Sequence, residues 1–263
     1  MANTVYANEV IEAKAKDLLL TKVNTRNLME IDDSLEQNAG MKKIINLYTY
    51  SGEAEALAKG QGNTSSGSIT YTPHEYVVNV VQQKFDYFDE DAFNEPSTPE
   101  MMLKGATEKM INKMTADFTA AITSVDITNE VEFTDELSYD AIVDAISEVN
   151  VEDESELFVV IPNSWKAGLR KDPDYISARL GEVVYNGQVG QVAGIPVIAS
   201  KALDEAETAA VMSKEAVKLF LKKDVEVEQE RDADTRNNKV FLRTAYLVAL
   251  VDATKICKIK KSA

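Results

Sequence analysis

The chain has 263 residues, of which 44 are acidic and 28 basic, giving a formal net charge of −16. A protein that grips DNA phosphates through a basic face does not carry this balance. One cysteine and one histidine exclude an intramolecular disulfide and leave histidine-containing triads and histidine-rich metal sites at most one position.

No stretch approaches the ~20 apolar residues that a membrane helix needs. The opening MANTVYANEVIEAKAKD carries acids early and has no apolar secretory core, so no signal peptide is expected. From Tyr6 to Leu20 a weak helical period places Ile11, Ala15, Leu18 and Leu19 on one side. Polar and acidic residues follow to Asn38-Ala39-Gly40, which reads as an arm.

Two segments rich in Ile, Val and Tyr come next, Lys42–Tyr50 and Ile69–Val81. Between them lies SGEAEALAKGQGNTSSGS, so the pair predicts a long hairpin with a flexible tip. A strand pair alone is marginally stable in water, so this hairpin must lie on its own body or on a neighbour. Gly60, Gly62 and Gly67 do not make a phosphate loop. They lack the Gly-Lys-Ser/Thr ending and sit between strands instead of opening a helix. His74, after Pro73 in this segment, reads as a surface residue.

Ser97-Thr98-Pro99-Glu100 starts the clearest helix, either with Thr98 as N-cap and Pro99 following, or as a capping box of Ser97 with Glu100. Leu103, Ala106, Met110, Met114, Phe118 and Ala121 recur at helical spacing to about Ser124, a length of roughly 37–40 Å. Between Lys113 and Lys166 there is no Lys or Arg. Asp126, Glu130, Glu132, Asp135, Glu136, Asp140, Asp144, Glu148 and Glu152-Asp153-Glu154-Glu156 all fall there. A solvated face explains them, and the glycine-centred spacing of a calcium loop is missing.

Ser138–Val149 reads as an amphipathic helix with Ile142, Ile146 and Val149 inward. Leu157–Ile161 reads as a buried strand, and Pro162-Asn163 as the cap of a short helix carrying Trp165 and Leu169. Asn186-Gly187 marks a tight hairpin within Val183–Val192, and Ile195–Ala199 is a further strand. This region is compact α+β without the glycine fingerprint of a dinucleotide fold. From Val217 the chain is β-rich. Val225, Val227 and Gln229 alternate with Glu226, Glu228 and Glu230, RDADTRNN reads as a turn, and Lys239–Val251 returns. The alternating acids are a solvated face or meet a basic patch on a neighbour. Cys257, in the alternating Ile256-Cys257-Lys258-Ile259, reads as an ordinary strand residue.

This order of parts resembles the major capsid proteins of tailed phages, the Hong Kong 97-type fold. Three stretches carry the resemblance: LFVVIPNSWKAGLRKDPDY, GEVVYNGQVGQVAGIPVIAS with its Gly-Ile-Pro-Val turn, and VEVEQERDADTRNNKVFLRTAYLVALVDATKICKI. The resemblance implies an α+β capsid fold with an N-terminal arm (1–40), an extended hairpin arm (41–83) and a peripheral domain carrying the spine helix (84–135). An axial domain (136–215), returning peripheral strands (216–251) and a final strand that rejoins the axial domain (252–263) complete it.

The resemblance further implies a non-enzymatic protein with no cofactor and no metal. It would self-assemble as pentamers and hexamers into an icosahedral shell in the host cytoplasm, enclosing double-stranded DNA without reading its sequence and without contact with a membrane. The arm begins almost at Met1, so any scaffold is expected to be a separate protein, or none, and separate portal and decoration proteins are further expected partners. Some capsids of this type join an arm Lys to a neighbour's Asn. Lys59 at the arm tip, with Asn237 and Asn238 in the peripheral turn, are the candidates here. Glu226, Glu228, Glu230, Arg231 and Arg236 are the candidate intersubunit contacts. The competing readings are an encapsulin-like nanocompartment shell around a protein cargo, a carboxylate enzyme for which no telling spacing is found, and a soluble α+β binding module, which leaves the long hairpin unexplained.

Overall fold

The computed structural model describes residues 11, 13–15, 25–36, 39–149, 151, 153–178 and 190–262. Most of the helix expected over Tyr6–Leu20 and the hairpin expected at Asn186-Gly187 lie outside the described residues.

The chain pairs its strands into two sheets and a separate hairpin. The first sheet has four strands in the order β1 (Glu30–Asp32), β10 (Val217–Asp232), β11 (Asn237–Leu250) and β4 (Asn79–Phe88). Only β1 and β10 run parallel; the other neighbours are antiparallel. The second sheet has six strands in the order β5 (Glu130–Phe133), β12 (Ile256–Lys261), β9 (Thr208–Ser213), β6 (Leu157–Pro162), β8 (Ile195–Ser200) and β7 (Gln191–Val192). Strands β2 (Lys42–Ser51) and β3 (Ser68–Val77) pair only with each other.

Among the described residues the strands are connected by α-helices α1 (Asp89–Asn94), α2 (Thr98–Ile122), α3 (Tyr139–Val149), α4 (Lys166–Lys171) and α5 (Pro173–Ala178). Helix α2, about 37 Å long, is the one expected from the Leu103-to-Phe118 spacing. Ser97 holds the N-cap position without a side-chain cap bond, and its hydroxyl donates to Glu95 instead (2.6 Å). The expected capping box is therefore not formed. Pro99 sits in the first turn, where a missing N–H costs nothing.

The buried runs are explained by a sheet covered on both faces. In β6, Leu157, Val159 and Ile161 belong to a core shared with Ile142, Ala145, Ile146 and Val149 of α3. Phe158 and Val160, on the opposite face, pack with Met114, Phe118 and Ile122 at the end of α2. Alternation of period two thus feeds two cores, so no polar position interrupts the strand. The first half of α2 lays Leu103, Ala106 and Met110 over Val225, Val227, Val240 and Leu242 of the four-stranded sheet, and Ile11 and Ala15 join that cluster. The long helix spans from one sheet to the other.

Two expectations are corrected here. Ile69–Val81 is not one strand: the chain breaks at buried Val78, whose N–H donates to the Met41 carbonyl (2.8 Å), and Asn79 onward pairs with β11. Residues Asn79–Gln83, expected in the arm, lie in the four-stranded sheet. Strand β5, expected with the peripheral part, instead runs parallel to β12 at the edge of the six-stranded sheet. In both cases the side-chain pattern is unaltered and only the pairing partner differs.

Candidate assembly surfaces

The β2–β3 hairpin is anchored at its base and exposed beyond it. Opposite residues on paired strands share a face, and faces alternate along each strand. On one face, Ile45 is buried in a cluster with Leu35, Val78, Phe220 and Leu247. On the same face the Tyr76 hydroxyl donates to the Leu250 carbonyl (3.2 Å), and the Lys43 ammonium lies 4.9 Å from the centre of the Phe220 ring. On the other face Ile44 and Tyr71 are each 61% exposed, with Ile69 and Val77 beside them, also exposed. An open groove of about 790 Å³ runs between the arm and the body, lined by Thr72 and His74 of the arm and by Asp126, Lys218 and Lys255 of the body.

His74 is more engaged than a surface residue. Its Nδ1 lies 3.8 Å from Asp126 Oδ2, at the point where the arm faces the segment following α2.

The tip is held together by its own groups, against the expectation of a flexible loop. Glu55 on the outgoing limb accepts four hydrogen bonds from the returning limb. The N–H groups of Thr64 and Ser65 donate at 2.8 Å each, and their hydroxyls at 2.7 Å each. The Thr64 N–H, the Thr64 hydroxyl and the Ser65 groups hold the Glu55 carboxyl down to a pKa of about 2, because every donor favours the charged form. At the neck, Ser51 and Ser68 join hydroxyls (2.8 Å), and the Tyr50 ring lies across Gly52 and Gly67. A Cβ on Gly67 would collide with the Tyr50 hydroxyl. Gly60, at a φ of +89°, turns the far end, where Gln61 N–H donates to the Ala58 carbonyl (3.0 Å).

The acidic strand face of β10 is neutralised by its own sheet. Glu226 bonds Lys223 (2.8 Å), Glu228 bonds Arg243 (2.7 Å), and Glu230 lies 3.9 Å from Lys239 on β11. Lys223 lowers the Glu226 carboxyl, Arg243 adding a smaller effect. Arg231 and Arg236, candidate local partners of these acids and candidate intersubunit contacts, lie within the chain against helix α1. Arg231 meets Asp89 (2.7 Å), and Arg236 meets Glu90 (2.8 Å). The register carries the reason: Glu230 faces Lys239, while Arg231 and Arg236 lie at the turn end, beside the start of α1.

The crosslink candidates are placed unequally. Lys59 is exposed at the tip turn. Asn238 is buried, and its amide donates to Asp89 (2.7 Å); the Asn237 side-chain oxygen is buried as well, without a hydrogen-bond partner. Arg231 and Asn238 hold the Asp89 carboxyl below its ordinary range, which makes it a weak base. Cys257 is a buried strand residue whose thiol is pushed up to about 12, mainly by burial. Among the described residues no group of three or more His, Cys, Asp or Glu is placed to hold a metal ion, and no helix is long and apolar enough to cross a membrane.

Sequence reasoning missed Glu55, Asp89 and Lys258. Asp89 had a local signal, the acidic DEDAF start of a helix. Glu55 and Lys258 had none, since their partners are set by the path of the chain.

No family model matches the chain. Among curated proteins it is similar to the major capsid protein of Staphylococcus phage phiMR11, 26% identical over 261 residues, covering 96% of this chain and 92% of the relative. Among solved structures it is similar to the acid-stable capsid of Helicobacter pylori bacteriophage KHP30. That likeness has a TM-score of 0.69 at 11% identity, covering 90% of this chain and 88% of the other. It is also similar to the mature capsid of bacteriophage PhiM1, with a TM-score of 0.67 at 13% identity over 92% and 88% of the two chains. The virus-like particle from Pyrococcus furiosus matches at a TM-score of 0.68 and 12% identity, over 96% and 98%. These likenesses show the fold, the α+β capsid fold of the Hong Kong 97 type.

Proposed function

We propose that this chain, a major capsid protein of the Hong Kong 97-type fold, closes an icosahedral shell by laying the outer face of its β2–β3 arm on the next copy. The observation that carries this reading is the asymmetry of the arm. Ile45 and Tyr76 seat its base in the same chain, while Ile44, Ile69, Tyr71 and Val77 stay exposed on a two-stranded projection. Such a stripe loses apolar surface to water only by meeting another molecule. A head-to-tail contact of this kind repeats around closed rings without any change of subunit fold.

In the same reading the six-stranded part, from about residue 136 to 215 together with β5 and β12, is the axial domain of pentamers and hexamers. The four-stranded part with α2 is the peripheral domain. The net charge of −16 keeps enclosed DNA from adhering to the wall. The protein has no catalytic turnover, and scaffolding, portal and decoration functions belong to separate proteins. Assembly takes place in the host cytoplasm.

Size-exclusion chromatography followed by electron microscopy of the purified chain tests this. Closed particles of uniform size are expected, with DNA inside those recovered from phage-producing cells. A chain that stays monomeric at high concentration would sink the reading. Particles filled with a specific protein cargo would replace it with the nanocompartment alternative.

A further inference from the structure

We infer that Glu55 is the positioning residue of the arm tip: by fastening the two limbs together in the unassembled subunit, it presents the tip to a second copy already shaped. The inference rests on the shell reading above. A segment such as EAEALAKGQGNTSSG, polar and glycine-rich, ordinarily loses its conformational freedom at the moment of docking, and each contact is weakened by that cost.

This tip has three constraints that need no neighbour. The strand ends are tied by Ser51 and Ser68, with Tyr50 lying over the glycine neck. The far turn is closed by Gln61 on Ala58. Between them, Glu55 bridges the outgoing and returning limbs by accepting from four donors of Thr64 and Ser65. The carboxylate suits the role because it is acceptor-only, and all four groups facing it are donors. A carboxamide at the same place would turn an N–H toward an N–H. Glycines that look like a source of flexibility thus allow the close neck, and a single acid sets the shape.

The test compares the parent chain with Glu55→Gln and with the double variant Thr64→Val, Ser65→Ala, which keeps both backbone donors. Hydrogen exchange is read at the Thr64 and Ser65 amides in dilute, unassembled protein. The concentration at which particles form is read by light scattering, and thermal melting reports the body. In Glu55→Gln the Thr64 amide, which alone faces Oε2, should lose protection, while the remaining carbonyl oxygen keeps the Ser65 amide; melting should be unchanged, and the threshold concentration should rise about tenfold. The double variant should fall between Glu55→Gln and the parent. Equal exchange in parent and Glu55→Gln would show that there is no clasp. Faster exchange with a threshold within about a factor of two of the parent would show that the clasp does not serve docking. A parent that forms no particles, with its amides protected, overturns the shell reading itself, and the docking role with it, leaving only the clasp.

Discussion

The ammonium of Lys258, in a side chain only 5% exposed, donates to the Ser124 carbonyl (3.2 Å) just beyond helix α2 and lies 3.5 Å from Glu130 on β5. The final strand thereby places a cation at the C-terminal end of the long helix, where the unsatisfied carbonyls favour it. Glu130 also bonds Lys260 (2.8 Å), and the two lysines hold its carboxyl below the ordinary range, Lys260 more strongly.

Removing the acid leaves a buried charge with one neutral partner, whereas removing the lysine does not. Glu130→Gln is therefore expected to cost about 2 kcal/mol of stability, discounted for the partial exposure of Glu130. Lys258→Met should cost about half as much, since Glu130 keeps Lys260. Chemical denaturation of both variants checks the order. Lys258→Met as the costlier change would count against this account.

Excising Gly52–Gly67 and joining Ser51 to Ser68 through Asn-Gly should leave the body folded, because no tip residue enters any of the four hydrophobic clusters. The melting temperature is expected within about 2 °C of the parent, with particles absent or fragile by electron microscopy. Normal shells from this variant would remove the tip from assembly.

Glu226→Gln and Glu228→Gln are expected to leave the chemical-denaturation midpoint unchanged, since both acids reach solvent and are paired in the same sheet. Arg243 keeps its second contact, from Nε to Gln82 (2.6 Å). The salt dependence of assembly should match that of the parent. A clear shift in that dependence would restore a neighbour's cations as the true partners of this face.

Mature particles should dissolve wholly into monomers on a denaturing gel. An isopeptide bond requires the Lys59 amine to attack a carboxamide carbon, with ammonia leaving. Asn238 is 8% exposed and its amide is already bonded to Asp89. A ladder of covalent oligomers, lost in Lys59→Arg, would reverse this.

Native Cys257 should resist alkylation at pH 8 by at least about a hundredfold relative to the unfolded chain. Burial favours the neutral thiol and pushes it up to about 12. An unfolded thiol ionises near pH ~8.5, so this contribution to stability is complete below that pH and is lost as pH rises toward 12. Labelling kinetics against pH, with and without denaturant, measure it. Equal rates in the two states would mean that the strand opens freely.

What the sequence determined by itself was local. The spacing from Leu103 to Phe118 specifies a long helix, the unbroken Leu157–Ile161 run specifies a strand covered on both faces, and RDADTRNN places the turn between two long strands. What only the tertiary structure decided was the choice of partner. The β2–β3 hairpin was expected, but β3 and β4 carry the same period, and nothing in it says that the chain breaks between them and that the second pairs with β11. The same holds for β5 beside β12, for Lys258 at the end of α2, and for Glu55 across from Thr64. Periodicity reports which face of a segment is buried, whereas pairing depends on where the rest of the chain has already been placed.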